Sequence, residues 1–171
     1  LNTAKEEVAV RYFLRLVSDY RESNLLPNTY YSLGLVYLGQ DKYDEALTQF
    51  NNLLNSPNNE FKARAVLAIG DVYFKKGDLE SALRQYRQAL NKASPDKAAE
   101  IQFKIAQTLQ ENGRVDEAIE EYFKTSYLYP QDKYWLLKSY LRLARIFEDR
   151  ENWPEAERIY SYVLASIVEA V

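Results

Sequence analysis

Cysteine and histidine are both absent from the sequence. Without them the chain has no disulfide, no thiolate nucleophile and none of the commonest proton shuttle. No stretch has the spacing of a zinc site or a calcium loop. Glu120 with Glu121, and Glu148 with Asp149, are acidic pairs, but neighbours on a helix do not face each other. They read as solvated surface, not as a carboxylate dyad. No glycine-rich phosphate loop occurs. The expectation is therefore no enzyme, no metal and no cofactor. The lack of cysteine leans toward an oxidising compartment such as the periplasm, although cytosolic repeat proteins can lack it too.

Glycine and proline are scarce, at 5 each. With long periodic segments this favours an all-α chain. No apolar run reaches the ~18 residues that would suggest a membrane span. The net charge is -3 with acids and bases interspersed, so no overall pull toward nucleic acid or anionic lipid is expected. The first residue is Leu1, so the sequence reads as an excerpt of a longer protein.

What the chain does have is repetition. GLVYLGQDKYDEALTQF runs from Gly34 to Phe50, and GDVYFKKGDLESALRQY from Gly70 to Tyr86. AQTLQENGRVDEAIEEY runs from Ala106 to Tyr122, and ARIFEDRENWPEAERIY from Ala144 to Tyr160. Each reads small residue, two residues, large apolar residue, eight residues, alanine, three residues, aromatic. The starts are 36, 36 and 38 residues apart, a period that means an array of small stacked units.

The apolar periodicity predicts helices over about 3–22, 27–39, 42–55, 59–76, 79–93, 96–112, 115–129, 132–150 and 153–170. Pro27, Pro57, Pro95 and Pro130 fall between helix pairs, where proline starts a helix and does not continue one. Ser94 and Asp132 are expected N-caps. Gly77 with Asp78, and Asn112 with Gly113, break the two helices within a pair. Small residues let paired helices approach, so Gly34, Gly70, Ala106 and Ala144 are expected to lie against Ala46, Ala82, Ala118 and Ala156. Phe50, Tyr86, Tyr122 and Tyr160 are then expected to fill the space toward the next pair.

These residues resemble the tetratricopeptide repeat family. Tyr30, Leu33, Gly34, Tyr37, Ala46 and Phe50 match its pattern in order, with Tyr30 where tryptophan is common. Val66, Ile69, Gly70, Tyr73, Ala82, Tyr86 and Ala89 match it again. Looser matches follow at Ile105, Ala106, Leu109, Ala118, Tyr122 and Pro130, then at Tyr140, Leu143, Ala144, Phe147, Ala156 and Tyr160. The family period is about 34, and the extra residues here fall between units, as in some bacterial envelope repeat proteins. The resemblance implies one right-handed α–α superhelix, with repeats at 27–60, 63–96, 99–132 and 137–170 behind a leading helix at 3–22. Ala9, Phe13 and Leu16 supply that helix's small, aromatic and apolar positions.

The resemblance also implies a concave groove lined by the first helix of each pair. Counted from the small residue, its positions hold Asn28, Arg64, Glu100 and Lys138, then Tyr31, Leu67, Phe103 and Leu141. One residue after it come Leu35, Asp71, Gln107 and Arg145, and four after it Leu38, Phe74, Gln110 and Glu148. The groove then runs from apolar at its N-terminal part to polar and charged at its C-terminal part. That suits a partner protein or peptide with an apolar anchor. Packing against the neighbouring repeat is the competing role for Leu67, Phe103 and Leu141. Lys, Asn and Arg do not stand together as in the family's clamp for acidic chaperone tails, so no such receptor is expected.

Two other readings stay open. The apolar face of Tyr160, Val163, Leu164, Ile167 and Val168, with residues 9–16, would let copies stack end to end. The chain would otherwise regulate an enzyme carried elsewhere in a longer protein. The stretch from Tyr127 to Trp135 either forms an exposed aromatic patch or closes the gap at the longest junction.

Overall fold

The computed structural model describes residues 3–168, and their side chains from Glu7 on. Among the described residues there are nine helices and no strand. They are α1 (Thr3–Asp19), α2 (Leu26–Gly39), α3 (Tyr43–Leu54), α4 (Asn59–Lys76), α5 (Leu79–Leu90), α6 (Pro95–Glu111), α7 (Val115–Leu128), α8 (Lys133–Asp149) and α9 (Trp153–Val168). The expected nine are all present. α1 stops three residues early because the Ser18 hydroxyl bonds to the Arg15 carbonyl and the Asp19 carboxylate, local bonds that compete with the helix.

The chain divides into two compact units, Leu1–Ala89 and Leu90–Val171. In the first, Leu38, Ala46, Phe50, Ala68, Ile69 and Val72 form a core from α2, α3 and α4. In the second, Ile105, Leu109, Tyr122, Leu143 and Ala144 are fully buried or nearly so.

The eight-residue interval within each pair is one conserved turn geometry, used four times. The amide of Lys42 donates to the carbonyl of Tyr37, and Asp78 to Tyr73, Arg114 to Leu109, and Asn152 to Phe147. This is a Schellman closure, which needs a left-handed residue just before the donor. Gly77 and Gly113 meet that need at φ 83° and 75°. Asp41 and Glu151 take the same conformation at φ 56° and 57° with no help from glycine. The second helix then begins at once: Ala46, Ala82, Ala118 and Ala156 donate to the carbonyls of those four donors.

Caps fix the helix entries. Asn58 accepts from the Glu60 amide at 2.8 Å, and Asp78 from the Ser81 amide at 3.1 Å. Asp132 caps α8 as expected, through the Trp135 amide at 3.4 Å. Ser94 stands at the N-cap of α6, but its side chain makes no cap bond. Lys76 to Asp44, and Arg150 to Asp116, pair across from one repeat to the next at 3.1 and 2.8 Å. Both pairs are largely exposed and add little to stability.

The two glycines of the small-residue stripe lie directly against aromatic rings of the paired helix. An ideal Cβ on Gly70 would lie 2.6 Å from Cε1 of Tyr86, and its three nearest atoms are all in that ring. One on Gly34 would lie 2.5 Å from Cε1 of Phe50. At Gly34 and Gly70 the notch therefore admits the aromatic ring four residues after the alanine. Gly70→Ala should lose up to about 2 kcal/mol, since overpacking of ~1–3 kcal/mol matches or exceeds the ~1 kcal/mol propensity gain. Gly39 has nothing within 4 Å of an added Cβ. Gly39→Ala should gain ~0.5–1 kcal/mol. Urea denaturation of the two variants checks this, and a gain at both positions would refute the ring-in-notch packing.

Candidate groove site

In the second unit, α6 and α8 lie side by side with α7 behind them. Their facing residues line an open cavity of 410 Å³ formed by Phe103, Gln107, Lys138, Leu141, Arg142 and Arg145. Five of these six come from the groove positions read in the sequence. Arg142 does not, because the 3- and 4-residue steps used there pass it over.

The cavity stands on a stack of rings. Phe103 packs on Tyr122 at 5.5 Å between centroids and on Trp135 at 5.2 Å. Tyr134 meets Trp135 edge-on at 4.9 Å. The Lys138 ammonium lies 4.8 Å from the centroids of Tyr134 and Trp135 and 5.6 Å from that of Phe103. Ammonium and ring faces attract, by ~0.5–1 kcal/mol at exposed sites, so Lys138 is held with its charge intact. Leu141 is 46% exposed, whereas Phe103 is only 5% exposed and forms the floor.

Hydroxyls from the second helix of each pair fix the polar groove positions. Tyr122 donates to Gln110 at 2.9 Å, and Tyr160 to Glu148 at 3.0 Å. Glu148 also accepts from Arg145 at 3.3 Å, and Asp149 lies 3.6 Å from the same guanidinium. Burial pushes the Tyr122 phenol well above its ordinary value, with the Arg142 charge opposing the rise. Burial and the bond to Glu148 raise Tyr160 in the same sense.

The matching positions of the first unit are built alike but differ in charge. The Arg64 guanidinium lies 4.1 Å from the Tyr31 centroid and 5.7 Å from that of Phe61, and Tyr31 packs on Phe50 at 6.0 Å. Asp71 accepts from Tyr86 at 2.6 Å. Leu35 is exposed, and Leu67 and Phe74 are half-buried. Leu38, expected in the groove, belongs instead to the core at 8% exposure, because its position on the last turn of α2 faces α3 and α4. Asn28 is exposed at the start of α2.

Two cavities of the first unit lie elsewhere. One of 710 Å³ is lined by residues of α1 and its following turn with Tyr30, and one of 380 Å³ lies by Arg21, Tyr30 and Pro57. Neither was legible, since both depend on the α1–α2 turn. The stretch from Tyr127 is exposed in part: Tyr127 at 83% and Tyr134 at 61%, with Tyr129 and Trp135 half-buried. Among the described residues no three His, Cys, Asp or Glu side chains gather as a metal site. No helix there is long and apolar enough to cross a membrane.

Tetratricopeptide repeat profiles match this chain over residues 31–98 and 67–133, and again over 139–168. Its fold is similar to solved structures of MamA. One has a TM-score of 0.74 at 17% identity, covering 99% of this chain and 92% of that one. MamA from Desulfovibrio magneticus RS-1 has a TM-score of 0.71 at 20% identity, covering 94% and 84%. No curated protein matches by sequence.

Proposed function

This chain belongs to the tetratricopeptide repeat family, and from that premise we propose that it holds a segment of a partner protein in the groove of α6 and α8. The family makes protein-interaction scaffolds, generally without enzymatic activity. The role is binding and not catalysis. One observation carries the reading: a cavity opens where the groove residues Phe103, Gln107, Lys138, Leu141 and Arg145 converge. Its apolar floor and charged rim are the make-up of a peptide site, in which a few contacts supply most of the affinity.

Leu141→Glu tests it. The variant changes an exposed residue and should stay folded by circular dichroism, while capture of the partner falls about tenfold or more. Leu128→Glu, on the exposed side of α7, should leave capture intact. Equal capture by both variants would refute the groove reading.

A second reading, self-association, is favoured by α9. Its Leu164, Ile167 and Val168 are 65%, 51% and 68% exposed. On this reading the mass from light scattering rises with concentration, and Ile167→Glu abolishes the rise. A constant monomer mass would end it.

A further inference from the structure

We infer that copies of this chain join head to tail, with α9 of one copy packed antiparallel against α1 of the next. This contact is a specific form of the self-association reading and rests on it. Inside the array a second helix lies between two first helices: α3 packs on α2 and α4, and α7 on α6 and α8. At the two ends α1 packs on α2, and α9 on α8. Each of these end helices leaves an apolar stripe partly or fully in solvent.

On α9 the stripe is Glu157, Ser161, Leu164 and Val168, all exposed, with Ile167 beside it. On α1 and the turn after it the stripe is Val10, Leu14, Val17 and Arg21. Leu14 is 45% exposed, and Leu14, Val17 and Arg21 line one open cavity of 710 Å³ with Tyr30. Counted from its charged residue, the α9 stripe steps four, three and four residues forward, and the α1 stripe four, three and four backward. Such steps stay on one side of a helix. Laid antiparallel, the two stripes therefore come into register. Glu157 meets Arg21, Ser161 meets Val17, Leu164 meets Leu14, and Val168 meets Val10.

The charges select the partner face. Arg15 is answered by Asp19, and Arg158 by Glu155. Arg21 and Glu157 make no ion pair among the described residues. Glu22, next to Arg21, lines the neighbouring cavity and not this one. Two α9 stripes packed on each other would leave both Glu157 carboxylates without a cation. The one basic residue of α9, Arg158, lies off the stripe and is engaged by Glu155. Pairing α9 with α1 supplies Arg21 instead. A contact between unlike faces adds copies one after another unless a ring closes.

Light scattering tests the pairing, with the fold of each variant checked by circular dichroism. The mass of the unmodified chain is expected to rise with concentration. Leu14→Glu and Leu164→Glu, both at exposed positions, should each stay monomeric. Mixed in equal amounts, they should form a one-to-one dimer and stop there, because each variant keeps one intact face. Charge reversal leaves the apolar stripes untouched. Arg21→Glu and Glu157→Arg should each raise the concentration needed for assembly about fivefold, and mixing these two should restore it. Growth by either leucine variant alone, a leucine mixture that stays monomeric, or charge variants that mixing does not rescue would each overturn the pairing. Growth that survives Leu14→Glu and is abolished by Ile167→Glu overturns the pairing but leaves self-association through α9 standing. A monomer mass at every concentration ends both.

Discussion

Tyr122→Ala is expected to destabilise the chain by ~3–5 kcal/mol, the range for removing a buried aromatic ring. Tyr122 is 0% exposed and supports the Phe103 floor of the cavity from behind. Domains of this size are stable by about 5–15 kcal/mol in total, so one ring carries a large share. Tyr122→Phe keeps the ring and removes only the bond to Gln110, which predicts a loss of ~0.5–1.5 kcal/mol at neutral pH. Urea denaturation separates the two. The alanine variant should show a far lower midpoint, and the phenylalanine variant a modest shift. If the two variants lost the same amount, the ring would not be part of the packing.

The second large effect is alkaline. In the unfolded chain the Tyr122 phenol ionises near 10, its ordinary value. In the folded chain burial holds the proton on above that pH. The folded state therefore binds more protons than the unfolded state once pH passes 10. The contribution of this group is complete below pH 10 and is lost as pH rises toward the folded-state value, by up to about 1.4 kcal/mol per pH unit. Tyr43 and Tyr160 are raised too and act in the same sense. Tyr122→Phe cannot ionise, so its stability should decline more gently above pH 10. The difference between wild type and variant should shrink and then reverse by about pH 11. A difference that stays constant with pH would show that the phenol is not shielded.

Much of this is legible in the sequence, because one spacing repeats four times. A small residue, a large apolar residue, an alanine and an aromatic at fixed intervals leave few arrangements other than paired helices. The details that were not legible share a cause: they depend on where a side chain reaches, not on where it sits in the chain. Gly70 and Ala82 are small residues at matched positions, yet the atoms nearest an added Gly70 Cβ belong to Tyr86, whose ring reaches back across the pair. Asp41 and Glu151 adopt the left-handed conformation that glycine signals elsewhere, and an acidic residue gives no such signal. Leu38 and Leu35 are both apolar groove positions in the sequence, but the three-residue step sets them about 60° apart around α2, enough to bury the first and expose the second. Arg142 lies between two stripes of the helix and escaped both, although it completes the cavity.

Residue type alone shows more apolar residues at the expected positions of the first unit and more charged ones in the second, since charge needs no geometry to be counted. The sequence also places Arg64 and Lys138 at matching positions. Only the structure shows that each lies over aromatic rings, those of Tyr31 and Phe61 in one unit and of Phe103, Tyr134 and Trp135 in the other.

The most direct measurement places a photo-crosslinking residue at Leu141, and separately at Lys124 on the exposed side of α7, in the protein mixed with its partner. The account predicts adducts from the Leu141 position that a soluble peptide copy of the partner segment suppresses, and none from Lys124. Adducts from Lys124 with none from Leu141 would contradict it.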